Sequence, residues 1–203
     1  MDKVMNPAPS WFEAIVYKPL YVFQTLYYAI PWKWTSGFAT CKPRVLSFVQ
    51  GLRTSAPPFP TDDLKVGAAG FCWGGQHAIF LAADTPSTRV HRHESQKSTA
   101  LQPLLDCVFT AHPSFLKVPQ DIEAITIPTS VAVGENDMAM KPPAIQQMKQ
   151  ILEAKKTGEH EVNIIPGAKH GFAIRTHPDD KHEMECALRA EDQAISWFAK
   201  WFA

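Results

Sequence analysis

From Lys65 to the C-terminus, short apolar runs alternate with longer stretches of helical periodicity. The runs have the length of buried strands and lie at residues 65–70, 107–112, 129–134 and 161–166. The helical patterns lie at residues 74–83, 142–155 and 180–202. Because strands that alternate with helices connect as βαβ units, this order predicts an α/β fold with a mostly parallel sheet and helices on both faces. We expect the last helix to turn four apolar side chains towards the core: Leu188, Ile195, Phe198 and Phe202.

The segment GFCWGG, residues 70–75, joins the first strand to the first helix of this pattern. A strand–turn–helix with small residues two before and two after a nucleophile is a nucleophile elbow, here with Cys72 in place of serine. Gly70 and Gly74 would let the strand and the helix approach closely. The backbone N–H of Trp73 would point towards a developing oxyanion, and the helix N-terminus would favour the thiolate. The alternatives are a structural cysteine in a glycine-rich turn and a phosphate-binding turn.

Two further polar residues follow later strands of the pattern. Asp137 ends the segment GEND, and His170 lies within GAKHGF. The carboxyl ends of parallel strands meet at one edge of a sheet, and the order nucleophile, acid, base is that of α/β-hydrolases. Either residue alone could be a helix cap or a loop residue, and Glu135 remains the alternative acid. In this interpretation His170 takes the Cys72 proton and later activates water, while Asp137 orients the imidazole.

Four segments resemble the dienelactone hydrolase family: GFCWGG, GEND, KHGFAIR and, for its fungal-type members, TAHPSF. The resemblance covers about residues 43–203 and implies an α/β-hydrolase fold that hydrolyses a small-molecule ester or lactone, of the dienelactone or enol-lactone kind, through an acyl-enzyme. It implies neither metal nor cofactor, and it matches Cys72, Asp137 and His170 to the family's triad. Arg175 is the nearest match to an arginine that binds the substrate carboxylate, with a surface salt bridge as the alternative.

The N-terminal segment, residues 1–42, is predicted to be a cap-like or inserted segment in front of a hydrolase domain at 43–203. It contains ten aromatic residues with no clean alternation: Trp11, Phe12, Tyr17, Tyr21, Phe23, Tyr27, Tyr28, Trp32, Trp34 and Phe38. A helix is expected to follow Pro43, but residues 1–64 contain no clear strand pattern. The family's early strands supply a second oxyanion donor and a glutamate, so we expect a chain that begins midway through the family's domain. The strand before Cys72 would then be an edge of the sheet.

Composition and charge exclude several classes of partner. The chain has 20 basic and 20 acidic residues, so nothing in its charge favours nucleic acid or an anionic membrane. The longest apolar-rich stretch, residues 19–32, is shorter than the roughly 18 residues that a membrane-spanning helix needs. The four cysteines form no CxxC pair, which is typical of free thiols in a reducing, cytoplasmic compartment. His91 and His93 lie in a polar stretch and are interpreted as loop residues rather than as metal ligands.

Three functions therefore remain open at this point. The first is an active ester or lactone hydrolase. The second is a hydrolase-fold protein whose catalysis is impaired. The third is a module that binds a hydrophobic ligand or a membrane surface through the aromatic segment. The oligomeric state is not predicted.

Overall fold

The computed structural model describes residues 10–97, 100–156 and 159–203, and the chain divides into two compact units at Arg44 and Val45. In the first unit, a π-helical turn at Glu13–Tyr17 leads into helix α1, Lys18–Ser36. No side chain of α1 is buried, and most of its large apolar residues are exposed. The aromatic segment therefore forms a helix with an apolar, exposed surface.

Helix α2, Phe38–Thr54, begins earlier than the sequence predicted. The prediction started a helix after Pro43, but this proline lies inside the helix. Proline lacks an N–H group and so removes one backbone hydrogen bond, and here that loss does not end the helix. As predicted, the described residues before position 65 contain no strand.

The second unit contains a sheet of four parallel strands in the order β1-β2-β3-β4, which confirms the predicted α/β class. The strands are β1 Gly67–Phe71, β2 Cys107–Ala111, β3 Thr129–Asn136 and β4 His160–Lys169. The helices are α3 Trp73–Ala82, α4 Gln120–Glu123, α5 Pro142–Ala154 and α6 Lys181–Phe202. Within the described residues β1 pairs only with β2, so the strand that leads to Cys72 is an edge of the sheet, as expected.

Two hydrophobic clusters cover the two faces of this sheet. On one face Val108 and Val131 pack with helix residues such as Ile79 and Met148. On the other face the packing residues come from β2, β3, β4 and α6: Phe109, Ala132, Ile165, Ala190 and Trp197. Successive strand residues point to opposite faces, so β2, which is buried along its whole length, contributes to both clusters.

The orientation of α6 differs from the prediction. Its buried residues are Cys186, Ala190 and Trp197, whereas Leu188, Ile195 and Phe202 are exposed and Phe198 is partly buried. With 3.6 residues per turn, Leu188 and Ile195 lie about 180° around the helix from Cys186. The buried stripe includes two small residues, so residue size did not identify the face that meets the sheet.

A buried ion pair closes the amino end of the sheet. Arg53, at the end of α2, is only 2% exposed and pairs with Asp106 at 2.6 Å. Its guanidinium also donates to the carbonyl oxygens of Leu104 and Leu64, each at 2.7 Å. The Asp106 carboxylate accepts from the backbone N–H of Val66 at 2.6 Å. One charged pair thus joins α2 to the residues that precede β1 and β2.

Among the helices of the described ranges, none is both long and apolar enough to cross a lipid bilayer.

Candidate active site

Cys72 occupies the sharp turn between β1 and α3. Its backbone has φ of 52°, in the left-handed region that residues other than glycine rarely adopt. The Cys72 N–H donates to the Ala111 carbonyl at 3.2 Å, and the Cys72 carbonyl accepts from Gly75 N–H at 3.0 Å. These bonds fix the turn, so the thiol lies at the N-terminus of a ten-residue helix.

The close approach of strand and helix depends on two glycines, of which one was predicted. A Cβ at Gly70 would lie 2.6 Å from the Gly74 carbonyl oxygen. A Cβ at Gly75 would lie 2.6 Å from Thr110 Oγ1 and 2.7 Å from Pro113. A Cβ at Gly74 would meet nothing within 4 Å, so the prediction for this position was wrong. The second contact is with the chain after β2, which the local motif does not include.

The structure brings Cys72, His170 and Asp137 together at the carboxyl edge of the sheet. The Nδ1 atom of His170 lies 2.8 Å from Asp137 Oδ1, and its Nε2 atom lies 3.2 Å from Cys72 Sγ. Asp137 and His170 directly follow β3 and β4, which both run beyond the predicted ends. The alternative acid, Glu135, is exposed and accepts from the backbone N–H of Gly167 at 2.9 Å.

Ser114 lies in the same site, although it was not among the predicted residues. It is 4% exposed, and its Oγ lies 3.5 Å from Cys72 Sγ and 3.3 Å from His170 Nε2. Its backbone N–H donates to the Cys72 carbonyl at 3.0 Å, which positions the hydroxyl beside the Cys72 thiol. The available sequence signal was its place shortly after β2, at the sheet edge where sites occur.

The pKa shifts in this site favour a thiolate and an imidazolium. Burial raises the pKa of Cys72, but hydrogen bonds from Ser114 and His170 outweigh it, so the net pKa is lowered. The pKa of His170 is raised mainly by its hydrogen bond to Asp137, against the effect of burial. Burial instead raises the pKa of Cys107 to about 12. Among these cysteines, Cys72 therefore has the features of a reactive thiol.

His112 directly follows β2 and is completely buried beside His170. Their rings meet edge to face with centroids 5.1 Å apart. Neither ring nitrogen of His112 has a hydrogen-bond partner among the described residues, and burial lowers its pKa to about 4. Ligand-type atoms of Cys72, His112 and His170 all lie within 4.8 Å of one another.

His91 and His93, which the sequence analysis interpreted as loop residues, lie away from any candidate metal site in the described part of the chain. His93 Nδ1 lies 3.0 Å from the hydroxyl of Ser95, within the loop. Neither His91 nor His93 belongs to a group of three metal-ligand side chains in the described part of the chain.

Comparison with known proteins decides the family. The sequence model of the dienelactone hydrolase family matches residues 94–202, more than half of the 203-residue chain. The chain belongs to the dienelactone hydrolase family. The matched residues include Asp137 and His170, and the Cys72 elbow precedes them.

Curated relatives of this dienelactone hydrolase family member include a fungal and a human protein. Hydrolase tropI of Talaromyces stipitatus is 26% identical over 68% of this chain and 46% of its own length. The carboxymethylenebutenolidase homolog of Homo sapiens is 26% identical over 68% of this chain and 49% of its own length. The chain therefore spans about half the length of these relatives.

A solved structure supports the fold. Esterase 2 of Thermogutta terrifontis, phosphorylated by paraoxon, has a TM-score of 0.56 and 15% identity, over 78% of this chain and 64% of that chain. At this identity the likeness concerns the fold alone. Together with the parallel sheet and the helices on both faces, it shows an α/β-hydrolase fold.

The two remaining predicted residues of this family member are Trp73, which follows Cys72, and Arg175, which follows the His170 turn. Trp73 is the first residue of α3, and its backbone hydrogen bond helps to lower the pKa of Cys72. Arg175 is exposed, and its backbone N–H donates to the Gly171 carbonyl at 2.9 Å. In the described ranges Arg175 forms no ion pair with a carboxylate, so the alternative of a surface salt bridge is not observed.

Proposed function

We propose that this chain hydrolyses a carboxylic ester or lactone through Cys72, His170 and Asp137, with a thioester acyl-enzyme as intermediate. The observation behind this proposal is the continuous contact from Asp137 through His170 to Cys72, at 2.8 and 3.2 Å. A nucleophile, a base in contact with it and a third group that orients the base are the parts that nucleophilic catalysis requires.

In the first half of the reaction the Cys72 thiolate attacks the carbonyl carbon. The carbonyl π electrons move to oxygen, and the backbone N–H of Trp73 at the start of α3 stabilises the resulting oxyanion. When the carbonyl re-forms, the ester C–O bond breaks, and the leaving oxygen takes the proton from His170 Nε2. The acyl group is now bonded to Cys72, and His170 is neutral.

In the second half His170 removes a proton from water, and the oxygen attacks the thioester carbonyl. The second oxyanion collapses, the C–S bond breaks, and Cys72 leaves as a thiolate beside the protonated His170. Asp137 holds the Nδ1 proton throughout, so that Nε2 remains the catalytic nitrogen. The products are a carboxylic acid and the alcohol or enol, and the thiolate–imidazolium pair is restored.

For the substrate we propose an ester or lactone that carries a carboxylate. The name of the human relative, carboxymethylenebutenolidase homolog, refers to such a lactone. Arg175 supports the same class in this chain, because it is exposed, its guanidinium lies next to Gly171 in the turn after His170, and it has no carboxylate partner among the described residues. Its planar fork is suited to two hydrogen bonds with a carboxylate.

The test combines turnover with trapping of the intermediate. The protein should hydrolyse p-nitrophenyl acetate, and quenching during turnover should give a mass increase of one acetyl group on the peptide that contains Cys72. Iodoacetamide should label Cys72 faster than Cys41, Cys107 or Cys186. Acetylation of another residue, or equal labelling of the four thiols, would contradict the proposed nucleophile.

A second candidate function is binding to a hydrophobic surface by the aromatic helix. It is supported by the lack of buried side chains in α1 and by exposed residues such as Phe23 and Trp34. Co-sedimentation with uncharged phosphatidylcholine vesicles tests it, with Phe23→Ser/Trp34→Ser as the matched variant. Equal sedimentation of the two proteins would reject this role of α1.

A further inference from the structure

We propose that Cys72, His112 and His170 form a binding site for Zn²⁺, and that zinc bound there blocks hydrolysis. The sulfur atom and the two imidazole nitrogens lie within 4.8 Å of one another at the carboxyl edge of the sheet. Thiolate and imidazole are the ligands that zinc prefers, and three protein ligands with water in the fourth position is a common zinc arrangement.

The distances suit a tetrahedral centre after a small adjustment. Zinc–sulfur bonds of about 2.3 Å and zinc–nitrogen bonds of about 2.0–2.1 Å set the ligand atoms about 3.3–3.6 Å apart. Cys72 Sγ and His170 Nε2 are already 3.2 Å apart. The ligand atom of His112 lies within 4.8 Å of the other two, so it would have to approach them by at most about 1.5 Å to reach this spacing.

His112 is the independent observation that points to a ligand. It is completely buried, and neither ring nitrogen has a hydrogen-bond partner among the described residues. A buried polar group without a partner destabilises the folded state, so such groups call for an explanation. The triad mechanism gives the ring nitrogens of His112 no role. A metal between His112, Cys72 and His170 would satisfy one of them.

The contacts around His170 also suit a metal ligand. Its Nδ1 is bonded to Asp137 at 2.8 Å, which leaves Nε2 as the free coordinating atom. A carboxylate on the other nitrogen of a ligating histidine fixes the ring and strengthens the ligand. Binding to the thiolate–imidazolium pair would release the proton of His170 Nε2 to solvent while zinc exchanges three of its waters for protein ligands.

Inhibition follows from the same bonds and rests on the proposed hydrolase function. The sulfur lone pair that would attack the ester is donated to zinc, and so is the Nε2 lone pair that would accept a proton. Zinc at this site would therefore remove the nucleophile and the base together, and a chelator would restore both.

The binding test needs no turnover. Titration with Co²⁺, a spectroscopic substitute for zinc, should give one equivalent of a thiolate-to-cobalt charge-transfer band, and calorimetry should give one bound Zn²⁺. Cys72→Ser should abolish the band. His112→Phe, which keeps an aromatic ring, should weaken zinc binding at least tenfold, and His112→Gln is a second variant in case the first fails to fold. Wild-type affinity in a folded His112 variant would overturn the proposal.

Cys186→Ser is the matched control. The Cys186 sulfur lies 3.6 Å from His182 Nε2, a cysteine–histidine pair that belongs to no three-ligand group in the described ranges. The control should still bind one equivalent of zinc and show the full cobalt band. Loss of either would mean that the metal binds at Cys186 rather than at Cys72.

A separate assay distinguishes the two proposals. Zinc should inhibit hydrolysis of p-nitrophenyl acetate at the concentrations that saturate the calorimetric site, and EDTA should reverse the inhibition. A protein that binds zinc but never turns over ester would keep the metal site and reject the hydrolase. A protein that hydrolyses ester but binds no zinc would reject only the metal site.

Discussion

The two ends of the parallel sheet bury polar groups in different ways. At the amino end, Arg53 makes bonds of 2.6–2.7 Å to Asp106 and to two backbone carbonyls. At the carboxyl end, Cys72 and His170 lie 3.2 Å apart, and both ring nitrogens of His112 lack a partner among the described residues. Arg53 and His112 are both almost completely buried, so burial alone does not distinguish the two regions.

The difference lies in how completely Arg53 and His112 are paired. A buried charge is tolerated when it is paired and its remaining hydrogen bonds are made. Removing a partner from such a group destabilises the fold. Incompletely paired groups retain lone pairs and protons that a substrate or a metal can use. We therefore expect substitutions at the amino end to affect stability, and substitutions at the carboxyl end to affect chemistry.

The largest expected effect is at the nucleophile. Cys72→Ala should reduce kcat for p-nitrophenyl acetate by at least about 10⁴-fold, because no other group forms the acyl-enzyme. Its melting temperature should stay close to that of the wild type. Cys186→Ala is the control and should keep the wild-type kcat. Residual turnover of the Cys72 variant at more than a tenth of the wild-type rate would assign the chemistry to another residue.

Asp137→Asn should reduce kcat/KM by about 10²–10⁴-fold and also change the pH profile. Asp137 raises the pKa of His170, so its neutralisation lets that pKa fall. The imidazolium that protonates the leaving group then loses its proton at a lower pH. The alkaline limb of the kcat/KM–pH profile should therefore shift to lower pH. The profile is measured with EDTA present. Glu135→Gln should leave this limb in place, whereas a shift in that variant would favour the alternative acid.

Arg53→Met tests the amino end of the sheet. Removing Arg53 leaves Arg92, at 3.2 Å, as the remaining cation beside Asp106, and it takes the donor away from the Leu64 and Leu104 carbonyls. Urea denaturation should therefore show a free energy of unfolding lower by about 3 kcal/mol. The rate at which iodoacetamide alkylates Cys72 should stay within twofold of wild type. Lys97→Met, which removes a pair with Asp62 in which both side chains are exposed, is the control and should change stability little. If Arg53→Met kept wild-type stability but slowed the alkylation of Cys72, the amino end would affect chemistry rather than stability, and the contrast between the two ends would be wrong.

Ser114→Ala should have a smaller effect, on the thiol rather than on the fold. Its hydroxyl lowers the pKa of Cys72, so removing it raises that pKa. The acid limb of the alkylation profile should move to higher pH, and kcat/KM should fall about tenfold, the effect of a hydrogen bond to a charged group. Ser130→Ala removes another buried hydroxyl, bonded to Glu161 at 2.6 Å, and should leave both quantities unchanged.

The smallest effect is expected at Arg175, which is exposed. Arg175→Ala should raise KM about two- to fivefold for an ester that carries a carboxylate, the range of exposed ion pairs. KM for a neutral ester of the same size should not change, and Arg175→Lys should recover part of the loss. An equal rise for both esters would remove the role in carboxylate binding.

The sequence alone predicted the parallel sheet, the edge position of β1, and the close approach of Cys72, Asp137 and His170 at the candidate active site. These features follow from local patterns: the alternation of strands and helices, the elbow around Cys72, and polar residues directly after β3 and β4. Parallel connection places the ends of those strands at one edge, so position along the chain was enough to predict that Asp137 and His170 approach Cys72.

Only the tertiary structure decided the other members of the site and the packing around it. Ser114 and His112 reach Cys72 because the chain after β2 folds back on the elbow, and Gly75 is required by that same contact. The sheet-facing stripe of α6 contains Cys186 and Ala190 rather than the larger Leu188. In each case the physical reason is contact between segments distant in sequence, since space and the pairing of polar atoms depend on what the rest of the fold places opposite a residue.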